Sequence, residues 1–192
     1  MFCWSENEQY FDNEKDIPGV VEGRDAVNAY LATGVQQGGV LLIGINKFAR
    51  FNNMYSYEMG DRILEELSQQ LQACCPDGAE LYRMGGAKFL YLCRTYTEEE
   101  IRKLYYDLVE EVRRIYVSDI SVRIKLSGGL LLFDYPYQSS DDVYRYLERA
   151  LKLSKNDGRG ILKLASREEW EQYVYNLQLR EELLRCVEND CE

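Results

Sequence analysis

The sequence predicts an α/β fold, a mixed central β-sheet surrounded by helices, and two observations carry that expectation. Apolar runs of strand length alternate with longer stretches whose apolar residues recur at helical spacing, in the order strand, helix, two strands, helix, strand, helix, strand. With 192 residues, 46% of them hydrophobic, the chain can bury a sizeable core while staying close to the size of one ordinary domain.

Each element has its own local reason. Residues 1–23 are acid-rich and polar, with Pro18 and Gly19 breaking periodicity, and read as an irregular lead-in to a short helix over Arg24–Ala32. Gly38-Gly39 opens the continuous apolar run Val40–Ile45, which has the length and flanks of a buried strand. From Ser56 to Ala73 the residues Ile63, Leu64, Leu67 and Leu71 fall at helical spacing, and Ser56 is placed to cap the start. After the turn Cys75-Pro76-Asp77-Gly78, Leu81–Met84 and Ala87–Cys93 read as a hairpin joined by Gly85-Gly86. Thr97 with Glu100 forms a capping box ahead of Ile101, Leu104, Leu108, Val112 and Ile115, an amphipathic helix. Val122, Ile124 and Leu126 alternate with Arg123 and Lys125 and lead into Leu130–Phe133 as one long strand, with a bulge expected at Gly128-Gly129. A helix over Ser140–Lys155 stops at Asp157-Gly158, and Ile161–Leu164 supplies a short final strand. Beyond Ser166, the apolar positions Trp170, Val174, Leu177, Leu183, Leu184 and Val187 predict a long C-terminal helix.

Composition excludes several classes of function. The formal charge of -10 opposes binding to a nucleic-acid backbone or an anionic membrane surface, so neither is an expected partner. No apolar run reaches the roughly 20 residues that cross a bilayer, and Met1–Tyr10 lacks a signal pattern, so a cytoplasmic location is expected. The chain has no histidine, which removes Ser-His-Asp and Cys-His machinery and imidazole metal ligands. Its six cysteines show no Cys-x-x-Cys spacing and read as reduced structural thiols.

On the predicted hairpin, Arg83-Met84-Gly85-Gly86-Ala87-Lys88-Phe89 resembles the Arg-x-Gly-Gly-Asp/Glu-Glu-Phe signature of diguanylate cyclases, the GGDEF family. Ile45, Phe48, Asn52, Gly60, Asp61 and Leu64 are similar to that family's upstream strand and helix segment. Ser127 with Gly129 resembles its Ser-x-Gly strand, and Ala150-Leu151, Lys155 and Gly158-Arg159 resemble its Ala-Leu-x-x-Ala-Lys-x-x-Gly-Arg helix end. The resemblance implies a nucleotidyl cyclase-like fold with a ferredoxin-like βααββαβ core over residues 24–166. It also implies chemistry in which two divalent cations bridge GTP phosphates, which needs carboxylate ligands.

Two of the family's metal-binding carboxylate positions are Gly44 and Ala87 here, Asn46 replaces another acidic residue, and Lys88 stands where the signature carries Glu. No metal is therefore expected to be held by side chains, Mg²⁺ included. The corresponding expectation is that the chain is not an enzyme. The family's Arg-x-x-Asp product-inhibition site falls on Pro76 and Ala79 and is absent. Asn52 and Asp61 resemble the guanine contacts, a donor and acceptor pairing that tells guanine from adenine, and Lys155 and Arg159 resemble phosphate contacts. Lys88 is a further candidate, as a fixed point charge for a GTP phosphate without metal. The residues from Leu179 to Asp190 resemble the segment leading into EAL-type phosphodiesterase domains, so residues 167–192 read as a helical linker toward such a partner domain. The expected role is a regulatory domain with GTP or another guanine nucleotide as candidate ligand and no required cofactor. The alternative is a ligand-free dimerisation or docking scaffold, with a homodimer as candidate assembly.

Overall fold

The computed structural model describes residues 17–166 apart from 118–119, 136, 138 and 158–159, and beyond them residues 168, 171, 172, 175 and 179. The first helix, α1, spans Val20–Ala32, starting earlier than its periodicity suggested. Residues 1–16 of the expected lead-in lie outside the described residues, and its last part, Val20–Gly23, is already helical: Gly19 is the N-cap and its N–H donates to Glu22 Oε2 at 3.1 Å. Then follow β1 (Gly39–Ile45), α2 (Phe48–Met54), α3 (Tyr57–Ala73), β2 (Ala79–Arg83), β3 (Lys88–Cys93) and α4 (Glu98–Glu111). The rest of the described chain forms β4 (Arg114–Val117), β5 (Ile120–Arg123), β6 (Leu126–Leu132), α5 (Ser140–Asn156) and β7 (Leu162–Leu164).

Five strands form one sheet in the order β2-β3-β1-β6-β7, with β1 antiparallel to both neighbours and β7 parallel to β6. The mixed sheet agrees with the expected fold class. Because successive side chains of a strand point to opposite faces, β1 feeds two cores. Leu41, Ile43 and Ile45 pack with Ile63, Leu67 and Leu71 of α3 and Ile101, Leu104 and Leu108 of α4. Val40 and Leu42 face the other way, onto Val27 and Tyr30 of α1 and Val143, Leu147 and Leu151 of α5. The sheet is thus covered on both faces, and β1 lies at its centre with every residue buried.

Two expectations are corrected in the middle of the chain. Helix α4 ends at Glu111, and Ile115 belongs to β4, where it pairs with Val122 of β5. The helical spacing of the apolar residues runs on past the helix end, but Ile115 and Val117 also alternate with exposed Arg114 and Tyr116, and the period of two prevails. The long strand from Val122 is also two strands, since β4 and β5 form a separate two-stranded sheet.

No bulge occurs at Gly128-Gly129, because β6 keeps unbroken register with β1 from Leu126 to Leu132. The two glycines serve close packing instead. A Cβ at Gly128 would come within 2.7 Å of Tyr105 and Leu162, and one at Gly129 within 2.7 Å of the Leu147 carbonyl oxygen. On the C-terminal side, Glu168, Glu171, Gln172, Tyr175 and Leu179 are helical, and the remainder of the predicted helix lies outside the described residues.

Candidate functional site

The C-terminal end of β1 brings three motifs together. Gly44 lies opposite Lys88 of β3 on one side and Ser127 of β6 on the other, so these three positions share the sheet face that α5 covers. Helix α5 starts where Ser139 Oγ accepts from the Asp142 N–H at 3.2 Å, and its apolar stripe of Val143, Leu147 and Leu151 seats it on the sheet. That seating carries Lys155 over Gly44: a Cβ at position 44 would sit 3.0 Å from Lys155 Nζ. An ammonium therefore borders the place where a side chain at this strand position would begin. Burial first, and then the neighbouring Lys88 charge, hold Lys155 below the ordinary lysine range, with Glu148 acting in the other direction.

Lys88 does not stand free as a point charge. Its Nζ donates to Glu148 Oε1 at 2.5 Å and lies 5.8 Å from the Tyr144 ring centroid. Burial, followed by the Glu148 charge and hydrogen bond, raises the Tyr144 phenol. Glu148 is a residue that sequence reasoning missed, since nothing local marks it as the partner of a residue 60 positions earlier.

The signature turn is built by backbone conformation. Gly85 and Gly86 adopt φ of 79° and 56°, and neither would meet any atom with an added Cβ, so glycine is needed there for conformation rather than for space. Phe89 is fully buried in the core on the α3 and α4 side. Ala87 packs against that same core, and its carbonyl oxygen accepts from the Ile45 N–H at 3.1 Å.

At the junction of α2 and α3, Asn52 of α2 lies against Gly60 of α3, the residue before Asp61, and neither Asn52 nor Asp61 lines the adjoining cleft. Gly60 lets the two helices approach, since a Cβ there would lie 2.2 Å from Asn52 Oδ1. That oxygen is buried with no hydrogen-bond partner among the described residues, while Asp61, the next residue of α3, is exposed. Arg159 lies outside the described residues.

Beside this junction a cleft of about 270 Å³ opens, lined on its apolar side by Ile45, Phe48, Phe51, Ile63, Val122 and Ile124. Its ionisable lining residues are Lys47, Arg123, Lys125 and Lys155, all cationic. Asn46 completes it, its N–H donating to the Lys125 carbonyl oxygen at 2.8 Å. Lys88 does not line it. Sequence reasoning selected Lys155 but not Lys47, Arg123 or Lys125. The unusual backbone of Lys47, at φ 58° where few residues other than glycine sit, is a property of the folded chain and leaves no mark in composition.

The sequence model of the family described as "Diguanylate cyclase, GGDEF domain" matches residues 25–160. The chain belongs to the GGDEF family. Among curated relatives, it is 27% identical to the Escherichia coli protein named Diguanylate cyclase DgcM over 124 residues, covering 65% of this chain and 30% of DgcM. It is 24% identical to Cyclic di-GMP phosphodiesterase PdeR of Escherichia coli over 153 residues, covering 79% of this chain and 23% of PdeR. The chain thus spans less than half the length of these two proteins. The crystal structure of the GGDEF domain of DgcB from Caulobacter crescentus in complex with c-di-GMP superposes with a TM-score of 0.72 at 17% identity, covering 84% of this chain and 99% of that one. That likeness establishes the GGDEF fold.

These findings correct the expectation that the chain is not an enzyme. The matched family is described as that of diguanylate cyclases and DgcM is named a cyclase, so the comparisons go against that expectation. The divalent cations implied by the family are a separate matter of donor chemistry. Positions 44 and 87 carry a hydrogen and a methyl group, and an ammonium borders the first. Among the described residues no group of three or more His, Cys, Asp or Glu is placed to hold a metal ion. The side chains here do not fit a pair of divalent cations. Also among the described residues, no helix is long and apolar enough to cross a membrane, and Cys74, Cys75 and Cys93 are free thiols.

Proposed function

We propose that this GGDEF domain binds a guanine nucleotide and that binding modulates an adjacent cyclic di-GMP phosphodiesterase domain within a longer cytoplasmic signalling protein. The observation that carries the reading is the junction of α2 and α3. There Gly60 packs against the buried, unpartnered Asn52 Oδ1 and is followed along α3 by the exposed Asp61, near a cleft whose ionisable lining is wholly cationic. An Asp carboxylate accepts from the N1 and N2 edge of guanine, an Asn amide adds a directional bond, and adenine cannot reproduce that pattern. Lys155 and its neighbours supply charge for the phosphates. Likeness to PdeR supports placing residues 167–192 as the link to a phosphodiesterase domain. For binding to change that domain's activity, nucleotide must favour one arrangement of the link over another.

Titration calorimetry with GTP, GDP, ATP and cyclic di-GMP tests the reading. GTP or GDP is expected to bind more tightly than ATP. Asn52→Ala and Asp61→Ala are each expected to weaken guanine nucleotide binding by roughly tenfold or more, the worth of a hydrogen bond involving a charged group. Silence with all four ligands would reject nucleotide binding and leave the dimerisation or docking scaffold.

A further inference from the structure

The cleft carries more positive charge than the family's motifs account for. In a chain with a net charge of -10, its four ionisable lining residues are Lys47, Arg123, Lys125 and Lys155, with no carboxylate among them. None of the four is in an ion pair with a described residue, whereas nearby Lys88 is neutralised by Glu148. Arg123 ends β5 and Lys125 lies in the connection to β6, both away from the strand, hairpin and helix-end motifs of the resemblance. Lys47, one of the lining residues, has a left-handed backbone, the one such non-glycine residue among those described. A strained residue of this kind persists only where its surroundings over-determine it, and such residues concentrate at ligand sites.

We propose that this cleft binds the phosphate chain of a nucleotide directly, with no divalent cation, through Lys47, Lys155, Arg123 and Lys125. The inference rests on the nucleotide reading given above and deepens it. Two cations bound by carboxylates would ordinarily screen the mutual repulsion of phosphate oxygens. Here the carboxylate positions are vacated, and fixed ammonium and guanidinium groups supply the same sign of charge without metal. Lys155, partly desolvated and next to a like charge, gains from an arriving anion on both counts. The apolar wall of Phe48, Phe51, Ile63, Val122 and Ile124 lowers the local dielectric, which strengthens each contact.

The test uses the full 192-residue chain. Inorganic tripolyphosphate, GTP and ATP are titrated in EDTA and again in excess Mg²⁺, at low and at physiological salt. Expected is binding of tripolyphosphate and GTP in EDTA that weakens with salt, and a loss of roughly tenfold or more in Arg123→Ala and in Lys125→Ala. Lys152→Ala, an exposed cation of α5 outside the cleft, should bind as the unmodified chain does. Gly44→Asp sets a carboxylate against Lys155 Nζ and should weaken binding in EDTA, with circular dichroism confirming that each variant is folded. Binding that appears only with Mg²⁺, or binding in EDTA indifferent to Arg123→Ala and Lys125→Ala, overturns the inference while leaving nucleotide binding intact. Tripolyphosphate binding in EDTA with no preference for GTP over ATP keeps the inference and removes the guanine reading. No binding of any ligand removes both.

Discussion

At the scale of single residues, the same side-chain type takes different roles according to what faces it. Lys88 and Lys155 are both lysines on the α5 side of the sheet, yet one is spent on Glu148 and the other borders Gly44 with no ion pair among the described residues. Gly44 and Gly129 are both strand glycines, one beside a flexible ammonium and one against helix backbone. Cys93 shows what burial does to a nucleophile. Fully buried at the end of β3, its thiol is pushed up to about 12 by desolvation first and then by the neighbouring Cys75. Iodoacetamide at pH 8 is therefore expected to leave Cys93 unmodified in the folded protein, while the half-buried Cys74 and Cys75 react before it. Mass spectrometry after digestion reads this directly, and prompt labelling of Cys93 would contradict its burial. The sign for stability follows. The folded state holds this proton more tightly than the unfolded chain, so the contribution is present below about pH 9 and lost as pH rises toward 12.

Three helices in this protein begin at a side-chain cap, and for two of them, at Ser56 and Thr97, the sequence showed it. Ser56, Thr97 and Ser139 accept from the backbone N–H groups of Met59, Glu100 and Asp142 and start α3, α4 and α5. Because α5 carries both Glu148 and Lys155, its first turn matters to the site as well as to stability. Ser139→Ala is expected to lower stability by about 1 kcal/mol, measured as a shift in the urea midpoint with unchanged slope. No shift would mean that the Ser139 bond to Asp142 contributes nothing net. Element ends were harder to read. The helical spacing that ends with Val112 and Ile115 continues past the last turn of α4, and only the pairing of Ile115 with Val122 shows that a strand has begun.

For the whole molecule, the governing feature is a central strand buried on both faces. β1 gives Leu41, Ile43 and Ile45 to one core and Val40 and Leu42 to the other, so the position of α5 is set by the sheet, and the site by α5. Gly129 is the tightest point of that arrangement. Gly129→Ala brings a methyl carbon to 2.7 Å from the Leu147 carbonyl oxygen and 3.0 Å from the Leu151 nitrogen. It should cost roughly 1 to 3 kcal/mol through overpacking. It should also shift α5 and weaken anion binding at Lys155. A thermal melt together with the tripolyphosphate titration checks both, and an unchanged melting temperature would show that the two layers are less closely packed than described.

The sequence by itself determined the α/β class, the strands and helices with strong periodicity, the GGDEF resemblance and the loss of carboxylates at positions 44 and 87. These depend on short-range repeats, caps and turns that neighbouring residues encode among themselves. It did not determine that Lys88 would meet Glu148, that Lys155 would come to rest over Gly44, or that Arg123 and Lys125 would join Lys47 around one cleft. Such meetings join residues far apart along the chain, and the packing of α5 on the sheet and the β5 to β6 connection bring them together. Packing of that kind depends on the whole set of buried contacts, which no local window of sequence contains.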